Sequence, residues 1–200
     1  TPAVKASNVK PKKGTSSRGI MVIKSLKEFK NLKFYNKKYI IQNHAGNKKN
    51  KREYTAGLFV DKNKRIIGPI ILRRILKYGT SWVTEVVQNK KVSNYLRDVS
   101  SKFNSVGSIN FQFYMKRGLP EIFEINPRIS GTCPIRAYFG FNEAEMYLDH
   151  FLNDKKLKQP KIKMGMCLRF NQEIFIDNYN FKKVKNIKEK KVNAKIKQWF

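Results

Sequence analysis

The chain has 200 residues, with 43 Lys and Arg against 14 Asp and Glu, and a formal net charge of +29. That length suits one domain with a sizeable core or two small lobes. No apolar run approaches the ~20 residues that cross a bilayer, two cysteines cannot build a disulfide framework, and Thr1 to Ser7 lacks the apolar segment of a secretory leader.

Val4 to Val9 is too short to assign by period. Gly14 to Gly19, rich in Ser and Gly, reads as a loop, and Ile20 to Ile23 as the strand after it. Small residues in such a loop expose backbone N–H groups that can hold phosphates, with Lys10 and Arg18 adding charge. Ser25-Leu-Lys-Glu28 is a capping-box pattern, and Leu26, Phe29 and Leu32 recur at helical spacing behind it. Tyr39 to Gln42 reads as a strand. Ala45 to Arg52 is charged and apolar-free, a loop and a lobe boundary. Glu53 to Asp61 alternates as a strand, Lys62-Asn63-Lys64 turns it, and Arg65 to Leu76 and Trp82 to Gln88 follow as two more strands. Arg73 and Arg74 must point to opposite faces of theirs. Val92, Tyr95, Leu96, Val99 and Phe103 mark the inner face of a helix over 92–104. Phe141 to Leu152 reads as another helix, with Met146, Tyr147 and Phe151 on its core face. The last fifty residues mix short strands with Lys-rich helix or coil.

Ile109 to Met115 is an apolar-alternating run, and Lys116 to Pro120 separates it from a second run ending at Asn126. The pair reads as a hairpin. Symmetry about Gly118 would set Gln112 opposite Glu124 and Asn110 opposite Asn126. Gln112, Glu124 and Asn126 would then share one face, with Phe111, Phe113, Met115, Phe123 and Ile125 on the other. Oxygen donors grouped in this way suit a hard divalent cation such as magnesium, which is held through one or two carboxylates and substrate phosphates.

Glu124-Ile-Asn-Pro-Arg-Ile-Ser-Gly-Thr132, preceded by Gly107-Ser-Ile-Asn-Phe-Gln-Phe113, resembles the metal-binding signature of ATP-grasp enzymes, in the flavour of the carbamoyl-phosphate-synthase-like branch. Lys10 to Ile20 resembles the strand lysine and glycine-rich loop over the ATP phosphates; Val4 to Ser7, with Lys5, offers an alternative register. Ile40 to Ala45 and Glu53-Tyr54-Thr55 look like the adenine hinge and the ribose carboxylate. Arg73-Arg74 and Gly79-Thr80 resemble the basic strand that faces the phosphates. The resemblance spans about residues 8 to 152, and Met166 to Phe170 with Glu173 to Ile176 resembles extensions of that branch.

The resemblance implies an α+β fold of mostly antiparallel sheets in two lobes that clasp Mg-ATP. It divides the chain into a partial small lobe (1–45), a large lobe with the metal site (46–152) and a basic C-terminal extension (153–200). Gln112, Glu124 and Asn126 would hold magnesium, or manganese in its place. Lys10, Gly14, Ser16, Ser17 and Arg18 would grip phosphates; Gln42, Asn43 and Ala45 would meet adenine; Glu53 would accept from ribose hydroxyls. Asn43 stands where many relatives carry a carboxylate, which weakens that contact. Arg128, with Arg74 as second candidate, would neutralise the transferred phosphoryl group or the acceptor carboxylate. The implied reaction joins a small carboxylate to an amine or thiol through an acyl phosphate. Relatives usually carry a preceding domain, so a missing segment or partner chain is expected.

The charge is uneven: residues 1–52 hold fifteen Lys and Arg and one acid, Glu28. This supports an alternative, a catalytically silent basic relative that binds nucleic acid or another polyanion. Base-stacking aromatics are sparse among the basic runs, which ranks that reading second. Cys133 and Cys167 are expected to stay reduced in a cytosol, with packing roles.

Overall fold

The structure, a computed structural model, describes residues 7–12, 19–31, 39–43, 52–77, 79–170, 173–178 and 196–198. The chain divides into two compact units, Thr1–Gly46 and Asn47–Phe200. Of the sequence-based expectations, Lys5, Gly14, Ser16, Ser17, Arg18, His44 and Ala45 lie outside the described residues.

In the first unit, strands β1 (Ser7–Pro11), β2 (Met21–Ile23) and β3 (Tyr39–Asn43) form an antiparallel sheet in the order β2-β1-β3. Val9 and Ile23 are buried on one side. Lys10 falls on the other, the side shared by Asn8 and Gln42, because Asn8 pairs with Gln42 and faces alternate. The capping box forms ahead of helix α1 (Leu26–Lys30): Ser25 Oγ accepts from the Glu28 amide at 3.1 Å. The Glu28 carboxylate reaches one residue further back than the pattern asks, to the Lys24 amide at 2.7 Å.

The second unit is built on one eight-stranded antiparallel sheet. Its strands are β4 (Glu53–Val60), β5 (Ile66–Lys77), β6 (Thr80–Val86), β7 (Gly107–Lys116), β8 (Leu119–Asn126), β9 (Gly165–Arg169), β10 (Glu173–Asp177) and β11 (Ile196–Gln198). Their order is β11-β10-β9-β6-β5-β4-β7-β8. Strands β9, β10 and β11, which fall within the extension expected over 153–200, belong to this same sheet.

Period-two alternation sorts the side chains into two layers. Ala56, Leu58, Val60, Ile71, Ile109, Phe111 and Phe113 pack against Val92 and Leu96 of helix α2 (Lys90–Ser101). Asn89 caps that helix by accepting from the Val92 amide at 3.1 Å. The helix ends near residue 102, so Phe103, expected on its inner face, lies past the last turn and is 45% exposed. On the opposite face, Phe59, Ile70, Leu72, Val86, Cys167 and Phe175 pack against helix α3 (Cys133–Tyr138), helix α4 (Glu143–Tyr147) and a π-helical turn, Leu148–Leu152. The helix expected over 141–152 is therefore shorter at its start and widens in its second half. Met146 is buried there, with Tyr147 and Phe151 packed against the same cluster.

The turn after β4 is fixed by Asp61, which is fully buried. Its Oδ1 accepts from the Asn63 and Arg65 amides at 2.9 and 2.8 Å, and its Oδ2 accepts from Arg65 Nε at 2.7 Å. Burial pushes this carboxyl up, but the Arg65 amide and guanidinium and the Asn63 amide outweigh it and hold the group below its ordinary value. Asp61→Ala is expected to destabilise the chain by about 3 kcal/mol in urea unfolding, because three donors lose their acceptor. The folded pKa is depressed, so the contribution is present above about pH 4 and is lost as pH falls through the folded value. The gap between native and variant stabilities should therefore narrow in acid; a gap independent of pH would refute this role.

Candidate functional site

The hairpin of β7 and β8 delivers the predicted juxtaposition by a different route. Its loop has two residues, Arg117 (φ 50°) and Gly118 (φ 78°), the paired positive dihedrals of a tight hairpin turn. From that turn Met115 pairs with Pro120 and Phe113 with Ile122. Continued unbroken, this register would set Gln112 opposite Phe123 and turn Glu124 to the other face. A β-bulge between Gln112 and Phe113 inserts one extra residue, so Gln112 pairs with Glu124 and Asn110 with Asn126. Phe123 is the residue displaced. It stacks on Tyr114, with ring centroids 5.0 Å apart, and Ile122 joins the α2-side core in its expected place.

Glu53, Arg74, Gln112, Glu124 and Asn126, on the α3 side of the sheet, then form a continuous chain of hydrogen bonds, which Ser81 and Tyr114 join. Glu53 and Arg74 pair across β4 and β5, and both donors Nε (3.1 Å) and Nη2 of Arg74 reach Glu53 Oε1. Nη2 also donates to Gln112 Oε1 at 2.6 Å, and Nη1 to Ser81 Oγ at 3.3 Å. Gln112 Nε2 donates to Glu124 Oε1 at 3.0 Å, and Asn126 Nδ2 donates to the same oxygen at 2.7 Å. Tyr114 donates its hydroxyl to Glu53 Oε2 at 3.4 Å; burial and the Glu53 charge push its pKa up to about 12, so it remains a donor at neutral pH. Arg73 takes the opposite face and pairs with Glu85.

A second polar group on this side went unseen in the sequence. Arg136 of α3 is fully buried. Its Nη1 donates to both Glu143 oxygens at 3.2 Å, and its Nη2 to Thr55 Oγ1 at 3.1 Å and to Asn110 Oδ1. Thr55 Oγ1 donates to Asn110 Oδ1 at 2.7 Å. Gly57 makes room for the guanidinium: a Cβ there would lie 2.4 Å from Arg136 Nη1. Burial, with some repulsion from Arg74, lowers the Arg136 pKa, and Glu143 opposes that change. The available signal was a lone arginine within the apolar run Pro134 to Phe141, seven residues before a glutamate.

Three carboxylates, Glu53, Glu124 and Glu143, thus face two guanidiniums. Both guanidiniums are engaged, and among the described residues Glu124 has no ion-pair partner. Its one negative charge and the adjoining amide oxygen are the chemistry a hard cation seeks. Among the described residues no three His, Cys, Asp or Glu gather to hold a metal, so the case rests on one carboxylate and its amide neighbours. Arg128 stands outside the chain of bonds, exposed, and donates to the Ile129 carbonyl at 3.1 Å. Arg169 reaches the same loop, donating to the Gly131 carbonyl at 3.2 Å. Burial and Glu143 push the Cys133 thiol up, away from its nucleophilic form. His150 accepts from the Lys62 amide at 2.9 Å and is committed to packing. A cavity of about 580 Å³ beside the start of α2, bounded by Asn89, Ser93, Asn94 and Arg97 among others, includes none of the patch residues.

Residues 50–174 match the family described as ATP-grasp in the biosynthetic pathway with Ter operon. No curated protein sequence matches the chain. Among solved structures, N5-carboxyaminoimidazole synthetase from Staphylococcus aureus complexed with ADP aligns at a TM-score of 0.67 and 11% identity, over 83% of this chain and 46% of that one. The biotin carboxylase–β-γ-ATP complex from Campylobacter jejuni aligns at 0.62 and 12%, over 86% and 42%. The biotin carboxylase domain of Hydrogenobacter thermophilus 2-oxoglutarate carboxylase, with MgADP, ADP and bicarbonate, aligns at 0.63 and 13%, over 84% and 42%. At these identities the likeness is one of fold, and this chain spans less than half the length of each of those proteins. Among the described residues no helix is long and apolar enough to cross a membrane.

Proposed function

We propose, from the premise that this chain belongs to the ATP-grasp family, that it takes part in ATP-dependent ligation of a small carboxylate to an amine or thiol. A carboxylate oxygen would attack the γ-phosphorus of ATP, ADP would leave, and the nucleophile would then displace phosphate from the acyl phosphate. The observation that carries this reading is Glu124, a carboxylate without an ion pair among the described residues, held by the Gln112 and Asn126 amides on a bulged strand.

Phosphoryl transfer depends on positioning and charge rather than on a protein nucleophile. Of the three expected metal ligands, Glu124 and Asn126 would hold magnesium, or manganese in its place, which when bound supplies positive charge against phosphate oxygens, while Gln112, whose oxygen accepts from Arg74, would orient Glu124. Arg74 adds a fixed cation, oriented by Glu53. A carboxylate has several acceptor positions, so Glu53 can still receive a ribose hydroxyl. Arg128, exposed at the end of β8, is the proposed receiver of the acceptor carboxylate. Lys10, Gln42, Asn43 and the loop of Gly14, Ser16, Ser17 and Arg18, followed by Ala45, are the nucleotide-binding part proposed for the first unit. The carbamoyl-phosphate-synthase-like flavour of residues 124–132, a cytosolic setting and a preceding segment or partner chain belong to the same proposal.

The test is ADP formation from Mg-ATP with pooled amino acids and small carboxylates. Turnover that needs both an acceptor acid and a nucleophile supports the ligase; none with the longest native chain counts against it. The net charge of +29 favours polyanion binding as the second reading. That reading predicts stabilisation by DNA or heparin that fades with salt, without dependence on Glu124.

A further inference from the structure

We infer that this chain offers one divalent-cation position, not two, and that the Arg74 guanidinium is a resident cation where a second ion would otherwise sit. The inference rests on the ligase reading above and deepens it.

Hydrogen-bond chemistry alone fixes the orientation of both amides. Arginine only donates, so the Gln112 atom 2.6 Å from Arg74 Nη2 must be its carbonyl oxygen. The Gln112 nitrogen is then the atom facing Glu124 Oε1. A carboxylate only accepts, so Asn126 must likewise turn its nitrogen to Glu124. Among the described residues two oxygens are left without a hydrogen bond, Glu124 Oε2 and Asn126 Oδ1. One carboxylate and one amide oxygen, completed by phosphate oxygens and water, suit one magnesium.

A second ion would need the oxygens on the other side of Gln112, since paired metals sit about 3.5–4 Å apart and share a bridging ligand. Those oxygens are taken. Arg74 binds Gln112 Oε1 and Glu53 Oε1 together, its side chain is 9% exposed, and Ser81 holds its remaining edge. Seating an ion there would break these bonds and press two cations together in a partly buried place. Gln112 therefore acts as a relay: its oxygen anchors on Arg74 and its nitrogen orients Glu124.

The full chain, saturated with β,γ-methylene-ATP, is dialysed against manganese, and retained nucleotide and manganese are both counted. One manganese per retained nucleotide is expected; two would overturn the inference while leaving the ligase reading intact. Retention of neither would overturn both. Nucleotide retained equally with and without metal would also overturn both. In the double variant Arg74→Met/Gln112→Glu, the guanidinium is gone and a carboxylate is added, so the count should rise to two. A folded double variant still at one would show that Arg74 does not set the count, and the role assigned to it would fall.

Discussion

Arg136→Ala is expected to lower stability by about 3–5 kcal/mol, because it strands Glu143 as a buried, uncompensated charge. The pair is wholly enclosed, and Thr55 Oγ1 loses its Arg136 donor while Asn110 Oδ1 is left with Thr55 alone. For a chain of this length each kcal/mol moves the melting temperature by roughly 2–4 °C. Replacing both partners, Arg136→Met with Glu143→Leu, should recover much of the loss, since apolar pairs of similar volume are tolerated where an ion pair stood. The double variant then isolates the second job of Arg136. It holds Asn110, whose cross-strand neighbour is Asn126, so nucleotide binding should stay weakened after stability returns. Melting curves with and without Mg-ADP read both effects. A single variant within about 1 kcal/mol of native would refute the buried-pair account.

Glu124→Gln is the second large effect. The substitution keeps shape and hydrogen-bonding reach and removes a carboxylate charge that, among the described residues, has no ion-pair partner. Turnover should fall by about 10²–10³, the usual loss when a group placed against developing charge is removed. Stability should change by less than about 1 kcal/mol, because Glu124 is only half-buried and its bonds are to amides. Full turnover in this variant would remove Glu124 from the chemistry.

The sheet and its site face were legible where period-two alternation was strong. Gln112, Glu124 and Asn126 could be set on one face from spacing and hairpin symmetry alone, and the separation of Arg73 from Arg74 followed from the same rule; that Glu53 and Arg74 join that face depends on the pairing of β4 with β5 and β7, which spacing does not give. The bulge was not legible, because it depends on how the pleated pair meets its neighbours. The expected register was reached although the turn is shorter than assumed, and Phe123 was put on the wrong face. Helix α3 is six residues long and opens with Cys133-Pro134, too short to display a period. Arg136 could not be identified as buried, since its partners come from Glu143, from Thr55 and Asn110 on two strands, and from the space left by Gly57. Phe103 was assigned inward because its spacing matched a helix that in fact ends before it.

The central claim is that Glu124 and Asn126 take a divalent cation together with nucleotide phosphates. Calorimetric titration of the full chain with ADP, in magnesium and again in EDTA, tests it most directly. The account predicts saturable binding in magnesium that weakens at least tenfold in EDTA and is lost in Glu124→Gln. Equal affinity under both conditions, or undiminished affinity in the variant, would contradict it.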